Sequence, residues 1–190
     1  MSANLHGYDW AKLQVQKGAP LIFPTQWTDE DRTLPGELIL KALLSAHLYE
    51  SGLVIENAIV KSPIDWRYAK CEHESTFVNC VFMEAVALPY SHFERRLAFQ
   101  GCLFHATLSL HSSHLSDLEL GVTRQGIPTT FLGDVNFIET TIKGRLHSGK
   151  VRFKKEGGVV NFSGSKIDGC ADFSEAVFEG RAEFGGLEVS

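Results

Sequence analysis

FVNCVFMEAVALPYSHFERRLAFQGCLFHATLSLHSSHL, residues 77–115, is the stretch whose reading decides the fold. Its large apolar residues are Phe77, Phe82, Leu88, Phe93, Phe99, Phe104, Leu110 and Leu115, and the intervals alternate five and six without a slip. An α-helix has no such period. A second line of small or apolar residues runs two positions ahead, at Ser75, Cys80, Val86, Ser91, Leu97, Cys102, Leu108 and Ser113. In extended backbone, residues two apart point to the same side, so each unit is a short strand with two inward residues and then a corner. A chain that turns a corner every five or six residues coils into a solenoid.

Worked backwards, the beat lands on Cys71, Trp66, Val60 and Ile55, with Ala69, Ile64, Ala58 and Leu53 two residues earlier. The coil therefore starts near Leu53. Two units follow: an N-terminal arm and capping helix over residues 1–52, and a β-helix over residues 53–190. Residues 1–32 show no period and read as an irregular arm, and Thr33 to Glu50 reads as a helix with Thr33 as N-cap and Pro35 in its first turn. Its apolar residues cover more than one face, which suits a helix lying on the open end of the solenoid. Forward of Leu115 the beat fails over a Gly121 to Thr130 loop, resumes at Phe131, Phe137, Ile142 and Phe153 with Ser148 at a large position, and slips again at Lys154 to Gly158. It then runs through Phe162, Ile167, Phe173, Phe178, Phe184 and Val189.

The final units ADFSE (171–175), AVFEG (176–180) and AEFGG (182–186) resemble pentapeptide repeats, which centre on Phe or Leu with Ala two residues before. The resemblance spans about Leu53 to Val189 and implies an all-β fold, a right-handed quadrilateral β-helix with four short faces per coil. Two five-residue and two six-residue faces make 22 residues per turn, so Phe77 is expected beside Phe99 and Phe82 beside Phe104. About six coils fit. The chain departs from the family in its sixth residue on alternate faces and in Val86, Leu97 and Leu108 at the small position. Some family members protect or inhibit DNA gyrase by imitating duplex DNA, while most have no assigned activity.

A net charge of -5 lacks the basic footprint of a nucleic-acid binder, and no direct nucleic-acid binding is expected. No basic-then-apolar leader and no membrane segment is read near the N-terminus, so a cytoplasmic location is expected. The four cysteines, Cys71, Cys80, Cys102 and Cys170, have no zinc-ribbon spacing. Cys80 and Cys102 stack one coil apart and read as a reduced thiol ladder in a reducing compartment. His92 and His114 should lie one above the other, pointing outward beside Lys70, with His105 and His111 nearby in sequence. A metal site there is conceivable, but outward polar ladders are ordinary solenoid surface, and neither a metal nor a cofactor is expected.

Lys143, Arg145, Lys150, Arg152, Lys154 and Lys155 read as a basic face, while Asp168, Asp172, Glu175, Glu179, Glu183 and Glu188 make the last coils acidic. They are candidates for a partner-docking surface with opposite poles or a phosphate strip, while ordinary solvated faces are the simpler reading. Lys166 and Glu188, 22 apart, are expected to form a cross-coil ion pair. No nucleophile motif, phosphate loop or dinucleotide fingerprint appears, and a filled β-helix offers no internal substrate cavity, so catalysis is not expected. The reading is a non-catalytic module presenting a rigid β-helical surface to a protein partner, with a DNA-mimicking gyrase protector or inhibitor as the alternative. Residues 53–190 carry 14 basic against 17 acidic side chains, a weak balance for a duplex mimic. Phe173, Phe178, Phe184 and Val189 mark an uncapped last coil, which points to an end-to-end homodimer or to a fragment of a longer chain.

Overall fold

The computed structural model describes residues 7–44 and 52–190. Its first complete coil consists of the strands Leu53–Glu56, Ile59–Val60, Ile64–Asp65 and Lys70–Cys71, each of which founds one face, here named A, B, C and D. Every later coil lays one more parallel strand on each face, giving sheets of seven, seven, six and six strands for A, B, C and D. The backbone forces this arrangement, because a strand of two to four residues can satisfy its N–H and C=O groups only on the coils above and below it.

The expected step of 22 residues holds over the central coils, where Phe77 pairs with Phe99, Phe82 with Phe104 and His92 with His114. The beat does not stop at Leu115. The strand Leu118–Gly121 continues face A with Leu120 opposite Phe99, a step of 21 that shortens one corner by a residue. The excursion follows between Gly121 and Thr130, closed by an antiparallel bridge between Val122 and Pro128, and it lengthens the step from Phe104 to Phe131 to 27. A turn at Lys155 to Gly158 then lengthens the step from Phe153 to Phe178 to 25. Both insertions sit at corners, where extra chain leaves the strand register intact.

The axis is filled by side chains. Face B contributes Phe82, Phe104, Phe131, Phe153 and Phe178, whose rings stack with centroids 4.6 to 5.2 Å apart and planes 10 to 18° from parallel. Face A sends Phe77 and Phe99 in at right angles to them, Phe99 meeting Phe104 at 5.2 Å and 75°. Ser148 occupies a large position in the face A line, fully buried and with its hydroxyl unpaired, so the Phe ladder there is interrupted before Phe173.

The small residues at the corner between faces C and D form a second ladder. Ser91 Oγ donates to the carbonyl of Trp66 at 2.5 Å, Ser113 Oγ to Leu88 at 2.5 Å, Thr140 Oγ1 to Leu110 at 2.7 Å, and Ser165 Oγ to Phe137. Each hydroxyl reaches back one coil into a β-turn whose third residue has positive φ, at Tyr68, Tyr90, Ser112 and Glu139, as type II turns require, and Gly164 and Gly186 hold the same place in the last two turns. The corner between A and B repeats the device with sulfur: Cys80 Sγ points to Ile55 O at 3.5 Å, Cys102 Sγ to Phe77 O at 3.4 Å, and Thr129 Oγ1 donates to Phe99 O at 2.8 Å. A thiol here is a longer, weaker stand-in for a hydroxyl. Ser113→Ala removes a buried bridge between Leu88 O and the Ser91 N–H, which lies 3.2 Å from the hydroxyl, while each turn can partly close on itself. A loss of about 1–2 kcal/mol is expected in denaturant unfolding. An unchanged midpoint would refute the ladder's role.

The N-terminal arm is not irregular. Helix α1 (Gly7–Lys17) leads to the strand Leu21–Ile22, which extends face A beside Ile55, and Thr33–Leu34 extends face B beside Val60. Aperiodic sequence hid this because each piece is only two residues of strand held by tertiary contacts: Asn57 Nδ2 donates to Phe23 O at 2.9 Å, and Trp10, Phe23 and Trp27 cluster edge to face. Thr33 is therefore strand and not the helix N-cap, and its hydroxyl bonds back to Asp29 O. Helix α2 (Gly36–Leu44) is capped from elsewhere, by Ser62 Oγ accepting the Gly36 N–H at 2.8 Å. It buries Leu38, Ile39, Ala42 and Leu43 and packs on Ile64–Asp65 and Lys70–Cys71, covering the end of the coil where faces C and D have no earlier strand. The expected continuation of this helix over residues 45–50 lies outside the described residues.

Candidate functional site

With inward positions filled by the core, function has to lie on the outward positions, which alternate with them along every strand. Those of face C are Asp65, Ala87, Ser109, Asn136, Asn161 and Glu183, and those of face D are Lys70, His92, His114, Thr141, Lys166 and Glu188. Apart from Ala87, both columns are polar. Face A is covered by a charged network in which Arg96 bridges Glu74 at 2.5 Å and Glu119 at 2.6 Å, while Gln100 donates to Glu119 at 2.7 Å. Beneath it Ala98 is fully buried.

Face B differs. Its first outward column reads Ile59, Val81, Leu103, Thr130, Arg152 and Val177, and its second, two residues on, reads Lys61, Met83, His105, Leu132, Lys154 and Glu179. Val81 and Leu103 are half-buried beside one another, while Met83 and Leu132 remain 40% and 38% exposed. The excursion adds Ile127, 48% exposed, at the corner beside this sheet. It is fixed there by mutual bonds between Thr123 and Ile127, and Thr123 fills the space where a Cβ on Gly101 would sit. The result is a flat apolar strip three coils long, with Lys61 at one end and Arg152 and Lys154 at the other. Neither Lys61, Arg152 nor Lys154 forms an ion pair among the described residues. No family model matches the chain, and neither a curated protein nor a solved structure matches it.

The predicted basic face is not one surface. Lys143 follows the face D strand Thr141–Ile142, Arg145 sits at the next corner, Lys150 lies in the turn between A and B, only Arg152 and Lys154 belong to face B, and Lys155 opens the corner turn toward face C. A segment of 13 residues spans more than half a coil, so its charges must fan out over three sides. Several are neutralised locally: Lys150 meets Glu175 at 3.6 Å, and Lys155 meets Asp134 at 2.7 Å. Lys155, with the Val159 N–H, holds the Asp134 carboxyl below its usual range. The acidic residues are matched in the same way, Asp172 with His147 at 3.0 Å and Glu183 with Arg181. Lys166 turns to Asp168 at 3.0 Å and not to Glu188, although Glu188 is its register partner on the next coil; its long side chain lies along its own strand instead. At the C-terminal end Phe173 and Phe178 are half-buried, while Phe184 and Val189 are 41% and 52% exposed.

The histidines separate similarly. His92 and His114 stack on face D with ring centroids 6.0 Å apart and Lys70 in register, whereas His105 lies on face B and His111 in the C/D corner. Among the described residues no three metal-ligating side chains converge. Cys71, Cys80 and Cys102 are buried free thiols, and burial pushes Cys71 up to about 12 and Cys102 well above its ordinary value. Cys170 alone is exposed, on an open groove of about 460 Å³ with His147, Asp172, Arg96 and Arg145. An aromatic disulfide reagent at pH 8 should therefore titrate one thiol in the native protein and four in denaturant. More than one fast native thiol would show that the corners open.

The apolar strip was missed because the outward residues between core positions look mixed when read along the chain. Stacking the sequence by 22 and reading down the positions before and after Phe82 and Phe104 would have shown it.

Proposed function

We propose that the chain is a divergent relative of the pentapeptide repeat proteins and serves as a non-catalytic module that binds a protein partner through face B. Four parallel faces, a stacked Phe core and small Ser, Thr, Cys or Ala residues at the corners support the family reading. The observation that carries the function is the aliphatic outer column of face B. Solvated sheet faces alternate apolar in and polar out. In their paired columns faces C and D keep that rule apart from Ala87, face A departs from it at Val54, Val78 and the fully buried Ala98, and face B breaks it over successive coils at Val81, Leu103, Met83 and Leu132, with Ile59 buried at the end of the row. A contiguous apolar patch on a rigid sheet, rimmed by charge, is the usual mark of an interaction surface. The free thiols, buried and unpaired in all three corner and core positions, suit a reducing compartment such as the cytoplasm. Among the acidic residues of the last coils, Asp168, Glu175 and Glu183 have cationic partners and Asp172 lies against His147, which leaves little continuous acidic strip for mimicry of DNA.

Capture from an extract of the source cell tests the reading, with gyrase subunits probed by name. A protein held by the wild type and by Asn136→Glu on face C, but lost with Met83→Glu combined with Leu132→Glu, is the expected result. A captured set unaffected by the face B variant would overturn it. Both altered residues are exposed, so the fold should survive, which circular dichroism checks.

A further inference from the structure

The face B reading can be carried one step further, to the chemistry of the partner, and the inference rests on that reading. We infer that face B receives an amphipathic α-helix lying along the solenoid axis, with acidic residues at its two ends. Three features of the strip lead there.

The first is spacing. Successive coils place Ile59, Val81, Leu103 and Thr130 one strand apart along the axis, about 4.8 Å per step. A helix presents a side chain to one line every turn, about 5.4 Å, so over three steps it drifts by about 2 Å, less than the width of a leucine. An extended strand laid in the same direction presents one every 6.6 to 6.8 Å or so and drifts by about 6 Å, more than a full coil. A helix can therefore set apolar residues at i, i+4 and i+7 against Val81, Leu103 and their neighbours, and a strand cannot keep step.

The second is backbone satisfaction. Both sides of each interior face B strand are already paired with the coils above and below, from Thr33–Leu34 through Val177–Phe178. An added strand would find no free lateral N–H or C=O to pair with along the strip, whereas a helix brings its own bonds satisfied.

The third is charge. Lys61 at one end and Arg152 and Lys154 at the other lie four coils apart, about 19 Å, the length of a helix of about 13 residues. Between them the strip is uncharged apart from His105. Of the ionic groups in the two columns only Glu179 is acidic, and it lies beyond Lys154. Acidic ends on the helix would face unpaired cations, and basic ends would be repelled. The loop carrying Ile127 stands beside the strip and gives the helix a flank to rest on.

The test uses the intact chain and a fluorescein-labelled 14-residue peptide, capped at both termini. Leucines at i, i+4 and i+7 lie between glutamate pairs at its two ends, and a twin peptide carries lysine in place of every glutamate. Fluorescence anisotropy is expected to show binding of the acidic peptide, weakening with salt, and none of the lysine twin. Leu132→Glu, and separately Arg152→Glu with Lys154→Glu, should each weaken binding by about tenfold or more. Lys166→Glu on face D should leave it unchanged. The inference is overturned if the acidic peptide fails to bind at millimolar concentration, if the lysine twin binds as well, or if the face B variants bind like wild type. Failure here with face B still required for capture from the extract would leave the interaction reading standing and remove only the helix. Loss of both would remove face B itself.

Discussion

Phe99→Ala should lower the unfolding free energy by about 3–5 kcal/mol, the largest loss expected for a single core truncation in this chain. The ring is 1% exposed and stacks on Phe77 at 5.0 Å and 14°. It also meets Phe82 and Phe104 edge-on at 5.9 and 5.2 Å, and Leu120 lies on its other side, in register on the next coil. Removing it opens a void between two columns that cannot collapse, because the backbones on all four faces are fixed by their inter-coil hydrogen bonds. Chemical denaturation with far-ultraviolet detection measures the change. A variant that melts with the wild type would show that Phe99 is not at the centre of the column. Phe184→Ala is the comparison: its ring is 41% exposed, so its loss should cost a fraction as much.

Gly133→Ala should be comparably damaging for the opposite reason, with a loss of about 3 kcal/mol. A Cβ at this position would stand 2.3 Å from the carbonyl carbon and oxygen of Ala106 and 2.8 Å from the amide nitrogen of Thr107, all main-chain atoms of the preceding coil. A flexible side chain could swing away; the main chain of this corner, leading directly into the strand Leu108–Ser109, cannot move far without disturbing the bonds that hold Leu108 beside Val135. The damage should be local, with amide exchange rising between Thr107 and Asn136 and staying low near Phe77. Gly126→Ala serves as the control, since nothing lies within 4 Å of a Cβ there, although its φ of +82° adds a modest strain of its own. Equal stability of Gly133→Ala and wild type would mean that the two coils are not in contact at this corner.

The beat of five and six residues determined the solenoid by itself, because two-residue periodicity interrupted by corners admits no other backbone path. It fixed the partners of Phe77, Phe82 and His92 across coils, the buried thiols of Cys80 and Cys102, and the helix at the open end. These are local consequences: each follows from which way a residue points in its own strand. Much of what the tertiary structure decided depends on neighbours 21 to 34 residues away. It turned the aperiodic arm into strands beside Ile55 and Val60, and it moved the α2 cap from Thr33 to Ser62, since a hydrogen-bond partner supplied by another segment leaves no mark near the helix. It spread the basic segment around three sides and gave Lys166 to Asp168, since insertions and rotamers decide between partners at similar range. The apolar strip on face B belongs to the same class. Val81, Leu103 and Leu132 are unremarkable residues in sequence, and only the stacking of coils places them on one face of the solenoid.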